Sequence, residues 1–124
     1  IALSALETYK PGYLLIWVGA NDATHGPAIE EVMADFRTII EAAKANKTVP
    51  LVATLTSMMY SHAAYDGSVD TYNSEIRRLA SEEGITLVDL HRVIGDNPNY
   101  FQDDGLHLTD EGYQLVAEAF FNAL

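Results

Sequence analysis

The sequence contains no cysteine. That absence excludes disulfides, thiolate zinc sites and thiol nucleophiles. It leaves the compartment open, because a cysteine-free chain suits either redox setting. Positive charge is scarce too. Seven Lys and Arg stand against eighteen Asp and Glu, for a formal net charge of -11. So acidic a chain is unsuited to the phosphates of nucleic acid or to an anionic membrane surface. No apolar run approaches the ~20 residues that span a bilayer, and no signal peptide is visible. The chain opens at Ile1 rather than Met, inside what reads as a helix. A missing leader therefore says nothing about destination. Internal repeats and low-complexity linkers are also absent.

What remains is material for a packed domain. The 124 residues are 48% hydrophobic. A domain of that length buries roughly two-thirds of the surface its unfolded chain exposes. The elements alternate, which reads as an α/β fold. "IALSALETYK" resembles the end of a helix, broken by Pro11-Gly12. "YLLIWV", from Tyr13 to Val18, is apolar throughout, as in a parallel strand covered on both faces. A polar loop, Gly19 to Gly26, follows. Pro27 is expected at the first position of a helix, with Ile29, Val32, Met33, Phe36, Ile40 and Ala43 at helical spacing and an end near Asn46. "VPLVATLT", Val49 to Thr56, reads as a second buried strand, followed by the long loop Ser57 to Ser68. Val69, Tyr72, Ile76, Leu79 and Ala80 mark another helix, stopped by Gly84. "ITLVDL", Ile85 to Leu90, is the third strand. A loop then runs to Thr109, a good N-cap, with Asp110 and Glu111 in the first turn of the last helix.

In an open parallel sheet, function gathers beyond the carboxyl ends of the strands. Two polar groups of residues fall there and could do chemistry. The first is Gly19-Ala20-Asn21-Asp22. A glycine at a strand end allows backbone angles or close approaches that a Cβ forbids. An Asn just beyond it holds out an amide donor suited to the oxyanion of acyl transfer. Asn and Asp are equally at home in plain turns. The second is Asp104-Gly105-Leu106-His107. In a turn this spacing lets a carboxylate fix one imidazole nitrogen and leaves the other to take a proton from a hydroxyl. The plainer reading is an Asx-type turn with His107 exposed.

Taken together, in this order and at these two strand ends, the blocks "LLIWVGAND" and "DGLHLTDEGY" resemble the SGNH or GDSL hydrolase family. The intervening "YNSEIRRLASEEGITLVDLHRVI" resembles the helix and strand between them, so the likeness covers essentially the whole chain. The resemblance implies a flavodoxin-like three-layer α/β/α sandwich with a parallel sheet. It implies hydrolysis of esters, sometimes thioesters, by a serine nucleophile. By position, Asn21 resembles the oxyanion-hole asparagine, His107 the general base and Asp104 the residue that orients it. The family often has Pro after its His, where this chain has Leu108.

A larger departure concerns the nucleophile. The family's Gly-Asp-Ser block follows its first strand, and a second block adds a glycine N–H to the oxyanion hole. Neither is found here. None of Ser4, Ser57, Ser61, Ser68, Ser74 and Ser81 is preceded by Gly-Asp. Ser57 follows a buried strand, but "TLTSMM" lacks the sharp glycine turn that exposes a nucleophile. Residues 1–124 are therefore expected to form a single partial domain, the C-terminal part of the fold without its first two strands. In the family's strand order, 2-1-3-4-5, that leaves the flank of "YLLIWV" open. The missing segment as a separate chain, or self-association, is expected to cover it.

His25 is a candidate lining residue, and His62 and His91 read as surface residues. Met58, Met59, Tyr60 and Tyr65 are expected to shape an acyl or alcohol pocket. A metal set drawn from His25 and Asp22 has no convincing ligand spacing, and neither metal nor cofactor is expected. The expected reaction partner is a small-molecule or carbohydrate ester. The function read from the sequence is the C-terminal part of a serine ester hydrolase. The alternatives are a non-catalytic module that keeps the pocket, or an unrelated flavodoxin-like binding domain.

Overall fold

Three short parallel strands form an open sheet, flanked by six helices, in a computed structural model that describes residues 1–124. The chain runs α1 (Ala2–Tyr9), β1 (Tyr13–Ile16), α2 (Ala20–His25), α3 (Ile29–Ala45), β2 (Val49–Ala53), α4 (Asp66–Glu83), β3 (Thr86–Val88), α5 (Leu90–Ile94) and α6 (Asp110–Ala123), with 3-10 turns at Tyr60–Tyr65 and Pro98–Tyr100. The sheet order is β1-β2-β3, so β2 is central. Leu15 pairs with Leu51 and Ile16 with Val52, while Val52 pairs with Leu87 and Ala53 with Val88.

Side-chain alternation along the strands sorts the core into two clusters. Ile16 and Val52 pack with Phe36 and Ile40 of α3 and with Val69, Ile76 and Leu79 of α4. On the other face, Leu51, Ala53 and Val88 pack with Leu90 and Ile94 of α5 and with Val116 and Phe120 of α6. Helices thus lie on both sides of the sheet, as the resemblance implied for an α/β/α sandwich.

Several local expectations need correction. β1 is not covered on both faces. Tyr13 and Leu15 are 52% and 46% exposed, on the face where Leu51 is buried. Composition reports that a strand is apolar; it does not report which partner covers it. The strands are shorter than their apolar runs, because hydrogen-bonded pairing ends while burial continues: Thr54 to Met58 are all buried beyond β2. The polar stretch after β1 is mostly helix, α2, rather than loop. α3 starts at Ile29 with Ala28 as its cap, two residues past the expected Pro27, and Glu30 and Glu31 suit the positive end of its dipole. α4 begins at Asp66, directly after a 3-10 turn, inside the expected long loop. The loop before Thr109 also hides α5 and a 3-10 turn. Elements this short carry no periodic apolar stripe for a sequence pattern to reveal.

Other signals hold. Gly84 ends α4 in the left-handed conformation, Asn46 ends α3, and the Thr109 hydroxyl accepts from the Gly112 N–H at the start of α6.

Candidate active site

The site lies beyond the carboxyl ends of the strands, and three segments build it. The first is the β1–α2 junction. Gly19 caps α2 with φ of 112°, a backbone conformation that disfavours any side chain. A Cβ there would meet nothing closer than 3.7 Å, so the angle, and not crowding, calls for glycine. Gly19 thereby turns the chain sharply and sets Asn21 in the first turn of α2, exposed in the cavity wall.

The second segment is the turn Asp104 to His107. Asp104 Oδ1 accepts the backbone N–H groups of Leu106 and His107, each at 2.9 Å. Asp104 Oδ2 accepts from His107 Nδ1 at 2.5 Å. The Asx-type turn and the carboxylate–imidazole pair are thus one structure. The His107 hydrogen bond, then the two backbone N–H groups, hold the Asp104 carboxyl down at about 2. A carboxylate only accepts, so Nδ1 carries a proton, and in the neutral ring Nε2 keeps its lone pair. Gly105 makes the turn possible: its φ is 71°, and a Cβ would fall 1.8 Å from the Met59 carbonyl oxygen.

The third segment, Thr54 to Met58, continues β2. Asn73 and Asp66 of α4 take over where the ladder stops. The Asn73 carboxamide bonds both main-chain groups of Leu55, and Asp66 Oδ1 accepts the Met58 N–H at 2.9 Å.

Together with Tyr113 of α6, these segments line an open cavity of about 420 Å³. Asn21 and His107 both line it, with an apolar wall from Trp17, Leu55, Met58 and Tyr113. Trp17 and Tyr113 meet edge to face, with ring centroids 6.4 Å apart. Asp104 stands behind His107 and is not itself part of the lining. Of the residues expected to shape the pocket, only Met58 lines it. Met59 and Tyr65 pack into the two cores, and Tyr60 is exposed.

Three histidines depart from expectation, and Ser57 lies outside the cavity. His25 lies outside the lining, with Nε2 3.3 Å from the Tyr65 hydroxyl. His62 and His91 are half-buried and bonded rather than free on the surface: His62 Nδ1 reaches the Asp104 carbonyl oxygen at 2.6 Å, and the His91 backbone N–H donates to the Thr54 hydroxyl at 3.0 Å. Ser57 is only 2% exposed, and its Oγ lies 3.3 Å from His91 Nε2. Asp70 lies 4.0 Å from that same nitrogen. A relay needs the hydroxyl and the carboxylate on opposite ring nitrogens, so Ser57, His91 and Asp70 do not form one. No group of His, Asp and Glu is arranged to hold a metal.

Asn73 and Asp66 escaped the sequence reading. Asn73 did leave a signal, since it sits beside Tyr72 and Ile76 on the apolar stripe of α4. A polar residue there must be hydrogen-bonded or costly.

This arrangement has relatives. The model of the GDSL-like lipase/acylhydrolase family matches residues 2–115. The chain belongs to that family. Its fold recurs in a GDSL-like lipase from Bacteroides thetaiotaomicron, with a TM-score of 0.83 at 23% identity, over 98% of this chain and 66% of that one. It recurs in the lipase/acylhydrolase from Enterococcus faecalis, with a TM-score of 0.83 at 19% identity, over 97% and 66%. An acetylxylan esterase from Geobacillus stearothermophilus gives a TM-score of 0.79 at 18% identity, over 98% and 64%. At such identities the likeness establishes the fold. Among curated proteins, an N-acylneuraminate cytidylyltransferase of Streptococcus agalactiae is 22% identical over 106 residues, covering 83% of this chain and 26% of that protein. The GDSL-family chain thus spans slightly under two-thirds of these solved relatives and about a quarter of the curated one.

Proposed function

We propose that these residues form one partial domain carrying the base and oxyanion side of a serine ester hydrolase, with the nucleophilic serine contributed from outside residues 1–124. The observation that carries this reading is the His107–Asp104 pair at 2.5 Å, whose imidazole shares a cavity with Asn21. None of the six serines lines that cavity.

In the proposed cycle, His107 Nε2 takes the proton of the serine hydroxyl as its oxygen adds to the ester carbonyl. Asp104 stabilises the imidazolium through the Nδ1 proton. The Asn21 amide donates to the oxyanion of the tetrahedral intermediate. Collapse breaks the carbon–oxygen bond to the alcohol, which leaves with the proton from Nε2. Water then attacks the acyl-serine by the same route, giving the carboxylic acid and restoring the hydroxyl. The apolar wall of Trp17, Leu55, Met58 and Tyr113 suits the acyl or alcohol part of a small-molecule or carbohydrate ester.

Labelling with a fluorophosphonate tests the assignment. Residues 1–124 alone are expected to stay unlabelled, and a longer protein containing them is expected to be labelled at a serine outside them. Labelling at any of the six serines overturns it. The absence of a serine from the cavity favours one second reading, a binding module that keeps the pocket without hydrolysis. A longer natural protein that binds esters and resists labelling would establish that reading.

A further inference from the structure

The His107–Asp104 pair sits on an exposed tip. The backbone from Phe101 to Leu108 folds back on itself: Phe101 and Leu108 form an antiparallel bridge, and the Gln102 N–H donates to the His107 carbonyl at 2.9 Å. Both ends of this small hairpin are buried. At its apex Gly105 is buried, but the His107 and Asp104 side chains are 61% and 39% exposed. Packing around these two side chains therefore does little to fix them where accuracy matters most.

The apex is instead tied to the segment after β2. The Met59 N–H donates to the Gly105 carbonyl at 2.8 Å, and the Gly105 α-carbon is seated against the Met59 carbonyl. Ser61 Oγ donates to the Asp104 carbonyl at 3.0 Å. His62 Nδ1 reaches the same oxygen at 2.6 Å. A carbonyl can only accept, so Nδ1 of His62 carries a proton, as it does in one neutral tautomer and in the imidazolium. Asp104 is thus held at both ends. Leu106 and His107 fix its carboxylate, and His62 with Ser61 fixes its carbonyl.

We propose that His62 is a positioning residue for the His107–Asp104 pair, seconded by Ser61. The proposal rests on the serine-hydrolase reading for its catalytic consequence, though not for its structural one. Shifting the Asp104 carbonyl tilts the whole turn, and with it the carboxylate that aims His107 into the cavity. Errors of about 1 Å in such geometry cost up to roughly 100-fold in rate. Binding of the ester to the apolar wall should be indifferent to that tilt, so the loss belongs in kcat and not in KM.

Substitutions at His62 separate the donor from the ring. His62→Asn keeps an N–H near the place of Nδ1, His62→Gln moves it to the place of Nε2, and His62→Phe keeps bulk with no donor. Two readouts apply. One is the deshielded proton of the His107–Asp104 hydrogen bond in the NMR spectrum of the 124-residue chain, assigned by its loss in His107→Ala. The other is ester turnover by the longer, active protein that contains these residues, without the fluorophosphonate.

In His62→Phe the deshielded proton should broaden or shift, and kcat should fall roughly 10- to 100-fold with KM within about twofold. His62→Asn should restore both, and His62→Gln should not. Should His62→Phe fail to fold, the Asn and Gln variants decide between them. An unchanged proton and kcat in His62→Phe overturns the proposal, as does equal behaviour of Asn and Gln. Turnover that needs His107 and ignores His62 sinks the positioning role and leaves the hydrolase reading standing. A deshielded proton that depends on His62 in a protein without esterase activity does the reverse.

Discussion

Asn73 holds Leu55 by both main-chain groups. Its Oδ1 accepts the Leu55 N–H at 2.7 Å, and its Nδ2 donates to the Leu55 carbonyl at 2.9 Å. A side chain on α4 thereby imitates one more rung of the sheet beyond β2. It does so fully buried, at 1% exposure, where neither Leu55 group could turn to water. Leu55 in turn lines the cavity with His107. The fold and the site meet at this residue.

Asn73→Leu should accordingly destabilise the chain by about 2–4 kcal/mol, since it strands a donor and an acceptor in the core. Asn73→Asp should also destabilise, keeping an acceptor for the N–H while setting a carboxylate against the Leu55 carbonyl. Urea unfolding checks both. A loss under about 0.5 kcal/mol would mean that the clamp contributes little.

The two site glycines should respond differently to alanine. At Gly19 the added Cβ has room and only the positive φ is strained, so Gly19→Ala should cost about 1–2 kcal/mol. At Gly105 the Cβ would overlap the Met59 carbonyl, and the hairpin apex must move away from the body. Gly105→Ala should therefore cost more than Gly19→Ala in thermal unfolding, and it should abolish the deshielded His107–Asp104 proton. The opposite order would contradict the packing of the turn on Met59.

In the active protein, His107→Ala should nearly abolish ester turnover, and Asn21→Ala should lower kcat by roughly 100- to 1,000-fold. Ser57→Ala should change turnover by less than about threefold, because His91 meets Ser57 and Asp70 through a single nitrogen. Steady-state kinetics on a chromogenic acetate ester distinguishes these outcomes. Survival of His107→Ala within a few-fold would remove His107 as the base.

Acid should reveal Asp104. Its carboxyl is held at about 2 by the His107 bond and two backbone N–H groups, below the ordinary value near 4 that it regains on unfolding. The depressed value means that the folded state gains stability from the ionised form. That gain is complete above about pH 4 and is lost as pH falls towards 2. Asp89 acts in the same sense: burial pushes its carboxyl up, but the hydrogen bonds from Arg77 and Thr54 outweigh burial and lower it. Asp104→Asn should flatten part of the acid limb of stability against pH, and Asp89→Asn should flatten another part. An acid limb identical to the natural chain's in Asp104→Asn would show that the pair contributes nothing to stability.

The sequence alone reached the α/β class, the parallel order of elements, the caps at Gly84 and Thr109, and both blocks that flank the cavity. These features are local. A positive-φ glycine, a capping threonine and a carboxylate three residues before an imidazole act through neighbours in the chain, and the spacing of residues records them. The sequence missed α2 and α5, whose five or six residues are too few to display a period. It overestimated the covering of β1, because apolar composition is a demand for a partner and not its identity.

Tertiary structure alone decided which residues share the cavity and which histidine serves what. His25, His62, His91 and His107 are the same side chain in the sequence. Contacts with Tyr65, the Asp104 carbonyl, Ser57 and the Asp104 carboxylate give them four different surroundings. Imidazole acts through whichever partner holds each nitrogen. For all but His107 that partner lies tens of residues away in sequence, where no spacing along the chain can record it.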